Sequence, residues 1–135
     1  MERLSEHDVM VRQLFAQCID KVGDENIVSY TFDHVGLGAQ KRPPMIGSSR
    51  PDLYGIRLYD GFIVLGEAKT ANDLETERSH TQIKNYLEFI EFRESVLFYV
   101  VPMSRQNKCR SIMRSINPTC LEIESKVLIM AGGFS

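Results

Sequence analysis

One apolar run in the sequence ends in two opposite charges: Phe62-Ile63-Val64-Leu65-Gly66-Glu67-Ala68-Lys69. Its first four residues are apolar, and three of them are β-branched or aromatic, which is typical of a central β-strand covered on both faces. Residues two apart in a strand point to the same face, so Glu67 and Lys69 are expected to meet at the end of the strand. Because neither side chain is stable when buried without a partner, this strand end is the first candidate for a functional site.

The segment before this run predicts the strand that pairs with it. Alternation from Pro51 to Tyr59 indicates a strand, and Asp60-Gly61 is a favoured two-residue hairpin turn. Pairing about that turn places Asp52 level with Glu67 to Lys69 at the open end of the hairpin. The sequence therefore predicts that an Asp, a Glu and a Lys converge on one site.

The predicted cluster of Asp52, Glu67 and Lys69 is suited to metal chemistry. Two carboxylates that converge in a partly buried place repel each other unless a cation lies between them, and a hard divalent ion such as Mg²⁺ takes oxygen ligands. A lysine beside the ion could orient a water or stabilise charge on a phosphate, which indicates a phosphodiester hydrolase. The alternative is that Glu67 and Lys69 form a surface ion pair, because E-x-K triplets are common.

Length and composition predict one domain over residues 1–135, since 135 residues with 43% hydrophobic content fit a single core. No stretch approaches the roughly 20 apolar residues of a membrane span, and the amino terminus lacks the apolar core of a signal peptide, so we expect a soluble, intracellular, cytoplasmic protein. The three cysteines are far apart and indicate neither a disulfide framework nor a zinc site. The net charge of -2 means that any nucleic-acid binding must depend on local segregation of charge.

A helix, a strand and a loop are predicted before the hairpin. Ser5 and Asp8 form a capping box that begins a helix over residues 6–22, and residues 27–35 alternate as a strand. Residues 36–50 are rich in Gly, Pro and Ser and predict a long loop. Its cations could contact a phosphate backbone or could be incidental on a solvated connection; they are Lys41, Arg42 and Arg50.

After Lys69 the pattern predicts a helix, a strand and then a basic helix. Residues 74–93 have an apolar face at helical spacing, and residues 95–102 form a near-continuous apolar strand. The basic helix begins near Ser104 and ends at Asn117-Pro118, and residues 120–130 alternate enough for a further strand. The cations of the basic helix could supply positive charge for DNA or belong to a solvated face; they are Arg105, Lys108, Arg110 and Arg114.

These residues and the order of the elements resemble a known family. Pro51-Asp52, a hairpin and Gly66-Glu67-Ala68-Lys69 look like the PD-(D/E)XK signature of the restriction-endonuclease-like nucleases. The resemblance extends over residues 4–101 and implies an α/β fold with an αβββαβ core, in which a central mixed sheet is flanked by helices. It also implies that Asp52 and Glu67 bind the metal together with the backbone carbonyl of Ala68, and that Lys69 is the catalytic lysine.

The next helix adds a second point of resemblance. Gln82-Ile83-Lys84-Asn85-Tyr86 resembles the Q-x-x-x-Y motif of the branch that includes lambda exonuclease and the nuclease domains of recombination helicases. In that branch the glutamine belongs to the active site, which implies a catalytic role for Gln82, whereas Tyr86 is equally consistent with core packing. Family members often use an acid of the first helix as a further metal ligand. Glu6 is the best-placed residue for this role, with Glu2 and Asp8 as competitors.

These observations lead to a first expectation and two alternatives. The first is a Mg²⁺-dependent deoxyribonuclease, with Mn²⁺ as a substitute, that acts on DNA as an endonuclease, an exonuclease or a junction resolvase. The second is an inactive nuclease-fold protein that binds nucleic acid or a protein partner, and the third is a small α/β interaction domain in which Asp52, Glu67 and Lys69 form a surface ion cluster. Because a domain of this size has no room for a separate recognition module, substrate choice is expected to depend on a homodimer or a partner protein.

Overall fold

The computed structural model of the chain describes residues 4–33, 41–119 and 126–134. Its helices and strands follow in the order α1 (Glu6–Lys21), β1 (Val28–Phe32), β2 (Leu53–Arg57), β3 (Ile63–Ala68), α2 (Ala71–Leu74), α3 (Glu77–Glu91), β4 (Ser95–Val101), α4 (Gln106–Ile116) and β5 (Val127–Ala131). A short 3₁₀ turn, Met103–Arg105, precedes α4. Within these ranges no helix is both long enough and apolar enough to cross a membrane.

The five strands form one mixed sheet in the order β1-β2-β3-β4-β5. Strand β2 is antiparallel to its two neighbours, β1 and β3, whereas β4 and β5 run parallel to β3. Helix α1 packs on one face of the sheet, and α3 and α4 pack on the other. The prediction of an α/β fold with a central mixed sheet flanked by helices is thereby confirmed.

Alternation along β3 separates the two halves of the core. Leu65 faces the apolar cluster under α3 and α4, whereas Val64 and Ala68 face the cluster under α1. Gly66 lies beneath α1, and a Cβ there would lie 2.9 Å from the Leu14 side chain, so only glycine lets the helix approach this closely. By the same alternation Glu67 and Lys69 belong to the α3 face.

The parallel strands determine which ends of the helices lie near Glu67. Because β3 and β4 are parallel, their carboxyl ends share one edge of the sheet. Helix α4 connects two parallel strands and must run back from that edge to the opposite one. Consistent with this direction, Asn117 at the end of α4 donates a hydrogen bond to Glu91 at the far end of α3, at 3.3 Å.

Three local predictions are wrong in detail, and each has a physical reason. The hairpin closes with a four-residue loop, because the Asp60 carboxylate accepts hydrogen bonds from the Phe62 amide and the Arg57 guanidinium. The helix over residues 74–93 is interrupted, since Thr76 caps the start of α3 by accepting from the Ser79 amide. Helix α4 begins after the 3₁₀ turn that contains Ser104, not at Ser104 itself.

The predicted amino-terminal helix is confirmed over Glu6–Lys21, with the capping box of Ser5 and Asp8 in place. Strands β2, β3 and β4 are each shorter than predicted. Three predicted segments lie partly outside the described residues: the strand over 27–35, the loop over 36–50 and the strand over 120–130.

Candidate metal centre

The hairpin brings the two predicted carboxylates together. Leu53 pairs with Gly66, so the next residues outward, Asp52 and Glu67, lie opposite each other. A two-residue turn would pair Asp52 with Lys69, whereas the four-residue loop pairs it with Glu67, which lies within the predicted span of Glu67 to Lys69 and on the same face. The Ala68 amide donates a hydrogen bond of 2.9 Å to Asp52 Oδ2, which holds that carboxylate at the strand end.

Helix α1 contributes a histidine to the same place. His7 Nε2 lies 3.3 Å from Asp52 Oδ2, and ligand atoms of His7, Asp52 and Glu67 all lie within 4.8 Å of one another. The structure does not bring Glu6 into this group; its carboxylate instead accepts from the Phe134 amide at 3.4 Å. Sequence reasoning missed His7, although its spacing to the core residue Leu14, two helical turns later, was a usable signal.

Burial and mutual repulsion set the protonation of the two carboxyls. Burial and the charge of Asp52 raise the pKa of Glu67 well above its ordinary value. Burial also raises the pKa of Asp52, but hydrogen bonds with Glu67, His7 and the Ala68 amide outweigh it and leave that pKa lowered. The same contact with Asp52 raises the pKa of His7. Of the two carboxyls, Glu67 is therefore the one that keeps its proton to the higher pH.

Two side chains of α3 complete the wall behind Glu67. The Tyr86 hydroxyl donates a 2.7 Å hydrogen bond to Glu67 Oε1, so this residue combines core packing with a polar contact. Gln82 lies one helical turn earlier, and its carboxamide oxygen is buried without a partner among the residues described. Gln82 and Glu67 line the same cavity, and the predicted catalytic role of Gln82 stays a prediction.

These groups open onto a cavity of about 440 Å³, which we call the metal cavity. Lys69, half-buried, reaches it from the end of β3. The lining residues are His7, Asp33, Arg50, Asp52, Glu67, Lys69, Asp73, Thr76, Arg78 and Gln82. Arg78 was not singled out in the sequence, because it falls in a segment of α3 with mixed charges.

The donor set fits a divalent cation. Two buried carboxylates whose oxygens lie within 4.8 Å of each other repel, and a cation between them removes that repulsion. His7 offers a nitrogen ligand, and Asp52 and Glu67 offer oxygens. For Ala68 the structure places the amide on Asp52, and ligation through its carbonyl stays a prediction.

The predicted basic residues lie in three different places in the fold. Arg50 lines the metal cavity, and Arg42 lies nearby, paired with Asp33 at 2.8 Å. Lys108 on α4 forms an ion pair of 3.3 Å with Glu75, on the same side of the molecule as the metal cavity. Arg105, three residues earlier in the chain, is half-buried. The remaining three cations are exposed: Lys41, Arg110 and Arg114. Arg114 is nearest the far end of α4, so the structure does not bring it to Asp52 and Glu67.

The chain matches no protein-family model, no curated protein and no solved structure in the comparisons. Function is therefore inferred from the side chains of the metal cavity and from the order of the helices and strands.

Proposed function

We propose that this protein is a metal-dependent deoxyribonuclease with a restriction-endonuclease-like core. The observation that carries the proposal is the convergence of Asp52, Glu67, His7 and Lys69 in one polar cavity. The order α1, β1, β2, β3, α3, β4 corresponds to the αβββαβ order of that core, with α2 as a short addition and with α4 and β5 following it. A surface ion cluster is disfavoured, because Asp52 and Glu67 are only 8% and 3% exposed.

Four residues that line the metal cavity, and two residues that hold them in place, have proposed roles in phosphodiester hydrolysis. Asp52, Glu67 and His7 would hold a divalent cation, which when bound supplies an activated water and neutralises charge on the phosphate. Lys69 lies on the same face two residues after Glu67, where its ammonium can orient that water or stabilise the negative charge of the transition state. Tyr86 fixes Glu67 from behind, and Ala68 fixes Asp52 through its amide.

The imidazole nitrogen of His7 influences which metal ion the proposed site prefers. Mg²⁺ favours oxygen ligands and near-ideal octahedral geometry, whereas imidazole suits first-row transition ions. A site of two carboxylates and one imidazole is therefore expected to bind Mn²⁺ more tightly than Mg²⁺. We propose that Mg²⁺ supports the reaction and that Mn²⁺ does so at lower concentration.

Positive charge beside the metal cavity favours a polyanionic substrate. Arg50 and Arg78 line the cavity, and no ion pair to either is found in the described part of the chain. Phosphate contacts of this kind supply affinity without sequence information. A homodimer or a partner protein would add the specificity that so small a domain lacks.

The test is cleavage of a DNA mixture that contains single strands and duplexes, with Mg²⁺, Mn²⁺ or EDTA. Cleavage should require metal and should fall by about 100-fold or more in Asp52→Asn and in Lys69→Met, because each removes a charged group from the reacting centre. Matched controls are Glu88→Gln and Lys84→Met, which alter exposed charges of α3. Full cleavage by the folded Asp52 and Lys69 variants would refute the proposal, and metal-independent binding without any cleavage would favour the inactive nuclease-fold alternative.

A further inference from the structure

We propose that a second cavity beside the metal centre holds one unpaired nucleotide of a single strand, and that Arg50 and Arg78 bind the phosphates that flank it. This inference rests on the proposed function and names its substrate class, which is single-stranded nucleic acid. The cut phosphate would then lie in the metal cavity, one step along the strand from the held nucleotide.

The second cavity, which we call the side cavity, adjoins the metal cavity. It measures about 430 Å³ and shares four lining residues with the metal cavity: Asp33, Arg50, Arg78 and Gln82. Its other lining residues are Arg42, Met45, Ser48, Ser49 and Thr81. Arg50 and Arg78 therefore stand where the two cavities meet, which is where a chain passing from one to the other would place its phosphates.

The wall of the side cavity is held in place by hydrogen bonds. Asn85 on α3 donates to the hydroxyls of Ser48 and Ser49, at 3.1 and 2.9 Å. The backbones of Ile46 and Ser49 bond to each other in both directions, and Ile46 is buried in the core under α3. Arg50 directly follows this anchored turn, so its backbone is positioned before any ligand arrives.

The groups inside the side cavity suit a nucleotide base. Gln82 lines the side cavity, and its carboxamide oxygen is buried without a partner in the described ranges, so a rotation of the side chain would present an unsatisfied acceptor to a ligand. Base edges carry N–H donors that could serve it. Met45, 51% exposed, offers a polarizable apolar surface, and Thr81 adds a hydroxyl at the rim.

The charges of the side cavity are those expected for flanking phosphates. Three arginines line it, and its one acid, Asp33, is already paired with Arg42. Arg50 and Arg78 are thus left to neutralise the ligand. Arg78 and Gln82 are four residues apart on α3, so a phosphate on the arginine and a base on the amide would be adjacent.

The geometry favours a single strand over an intact duplex. A volume of about 430 Å³ lies in the range of roughly 300–1,000 Å³ typical of small-ligand sites. A base can enter such a recess only when it has left the stack, which costs a few kcal/mol in a duplex and little in a single strand. Single strands should therefore bind more tightly than duplexes of the same sequence.

The experiment measures binding of a labelled oligothymidylate and of a duplex of equal length by fluorescence anisotropy, in EDTA so that nothing is cut. The test variants are the double change Arg50→Gln with Arg78→Gln, and Thr81→Trp, which fills the side cavity from an exposed helical position. The matched controls are Phe92→Trp, which places an indole at an exposed position just after α3, and Arg93→Gln, at the far end of α3, where the arginine donates to the Phe89 carbonyl. Circular dichroism verifies that each variant folds.

The double arginine variant should lose about tenfold or more in affinity for the single strand. Its slope of log affinity against log salt should become shallower by about 1.4, since each phosphate contact contributes about 0.7 for single strands. Thr81→Trp should weaken the single strand about tenfold and leave duplex binding unchanged, whereas both controls should behave like the wild type. Wild-type affinity and slope in the test variants, or equal binding of duplex and single strand by the wild type, would overturn the inference.

Failure of this inference is separable from failure of the proposed function. If the wild type cleaves with metal but the side-cavity variants bind single strands normally, the nuclease proposal stands and the side cavity has no such role. If the variants lose single-strand binding as expected but no cleavage occurs under any metal, the binding site stands and the nuclease proposal fails.

Discussion

Tyr86→Phe should weaken metal binding without disturbing the fold. Tyr86 is fully buried, and its hydroxyl donates a 2.7 Å hydrogen bond to Glu67 Oε1. Phenylalanine keeps the ring in the core and removes only that donor. Loss of a group that orients a metal ligand typically reduces metal affinity by 10- to 100-fold, or about 1.4–2.7 kcal/mol. The metal-free protein should also lose about 1–3 kcal/mol of unfolding free energy, because the Glu67 carboxyl loses a buried partner.

Calorimetric titration with Mn²⁺ measures the affinity, and guanidinium denaturation in EDTA measures the stability. Tyr59→Phe is the matched control, since Tyr59 is 70% exposed at the tip of the hairpin and remote in the fold from the end of β3. The control should show neither effect. A folded Tyr86→Phe protein with wild-type affinity for Mn²⁺ would refute the reasoning that Glu67 is a ligand held by Tyr86.

Two further changes test the surroundings of the metal centre. Gly47→Ala should lose about 1–2 kcal/mol more unfolding free energy than Gly61→Ala, measured by thermal denaturation. Both glycines have positive φ, +62° at Gly47 and +75° at Gly61. Of the two, only Gly47 would place the new Cβ against a side chain, 2.7 Å from Asn85 Oδ1. Equal losses would show that the Asn85 contact is unimportant. Glu67→Gln should flatten the fall of metal-free stability as the pH rises above 4.5, because burial raises the pKa of Glu67 in the folded protein, whereas the unfolded carboxyl, with an ordinary pKa of 4.5, releases its proton first. Denaturation curves across that range with the same slope in both proteins would contradict this raised pKa.

The hairpin and its carboxylates could be predicted because they depend on local pairing. An alternating strand and a turn with Asp and Gly bring Asp52 opposite Glu67, within the predicted span of Glu67 to Lys69. The side chain of Asp60 determined the longer loop, and its bonds to Arg57 and Phe62 depend on a turn geometry that the pattern does not specify.

The contributions of α1 and α3 were harder to predict, because they depend on packing between distant segments. His7 reaches Asp52 because Leu14 sits over Gly66, a contact that no local pattern contains. Adjacent helical residues point about 100° apart, so choosing Glu6 in place of His7 moved the predicted ligand to another side of the helix. Arg78 likewise acquires its position only when α3 is docked against the sheet.

The most direct test of a metal centre at the end of β3 is a crystal structure of the protein soaked in Mn²⁺, with anomalous scattering used to locate the ion. The expected result is a manganese peak bound by Asp52, Glu67 and the Nε2 atom of His7, with Lys69 beside it. A structure in which Asp52 and Glu67 bind no ion at millimolar Mn²⁺, or in which their carboxylates point apart, would contradict it.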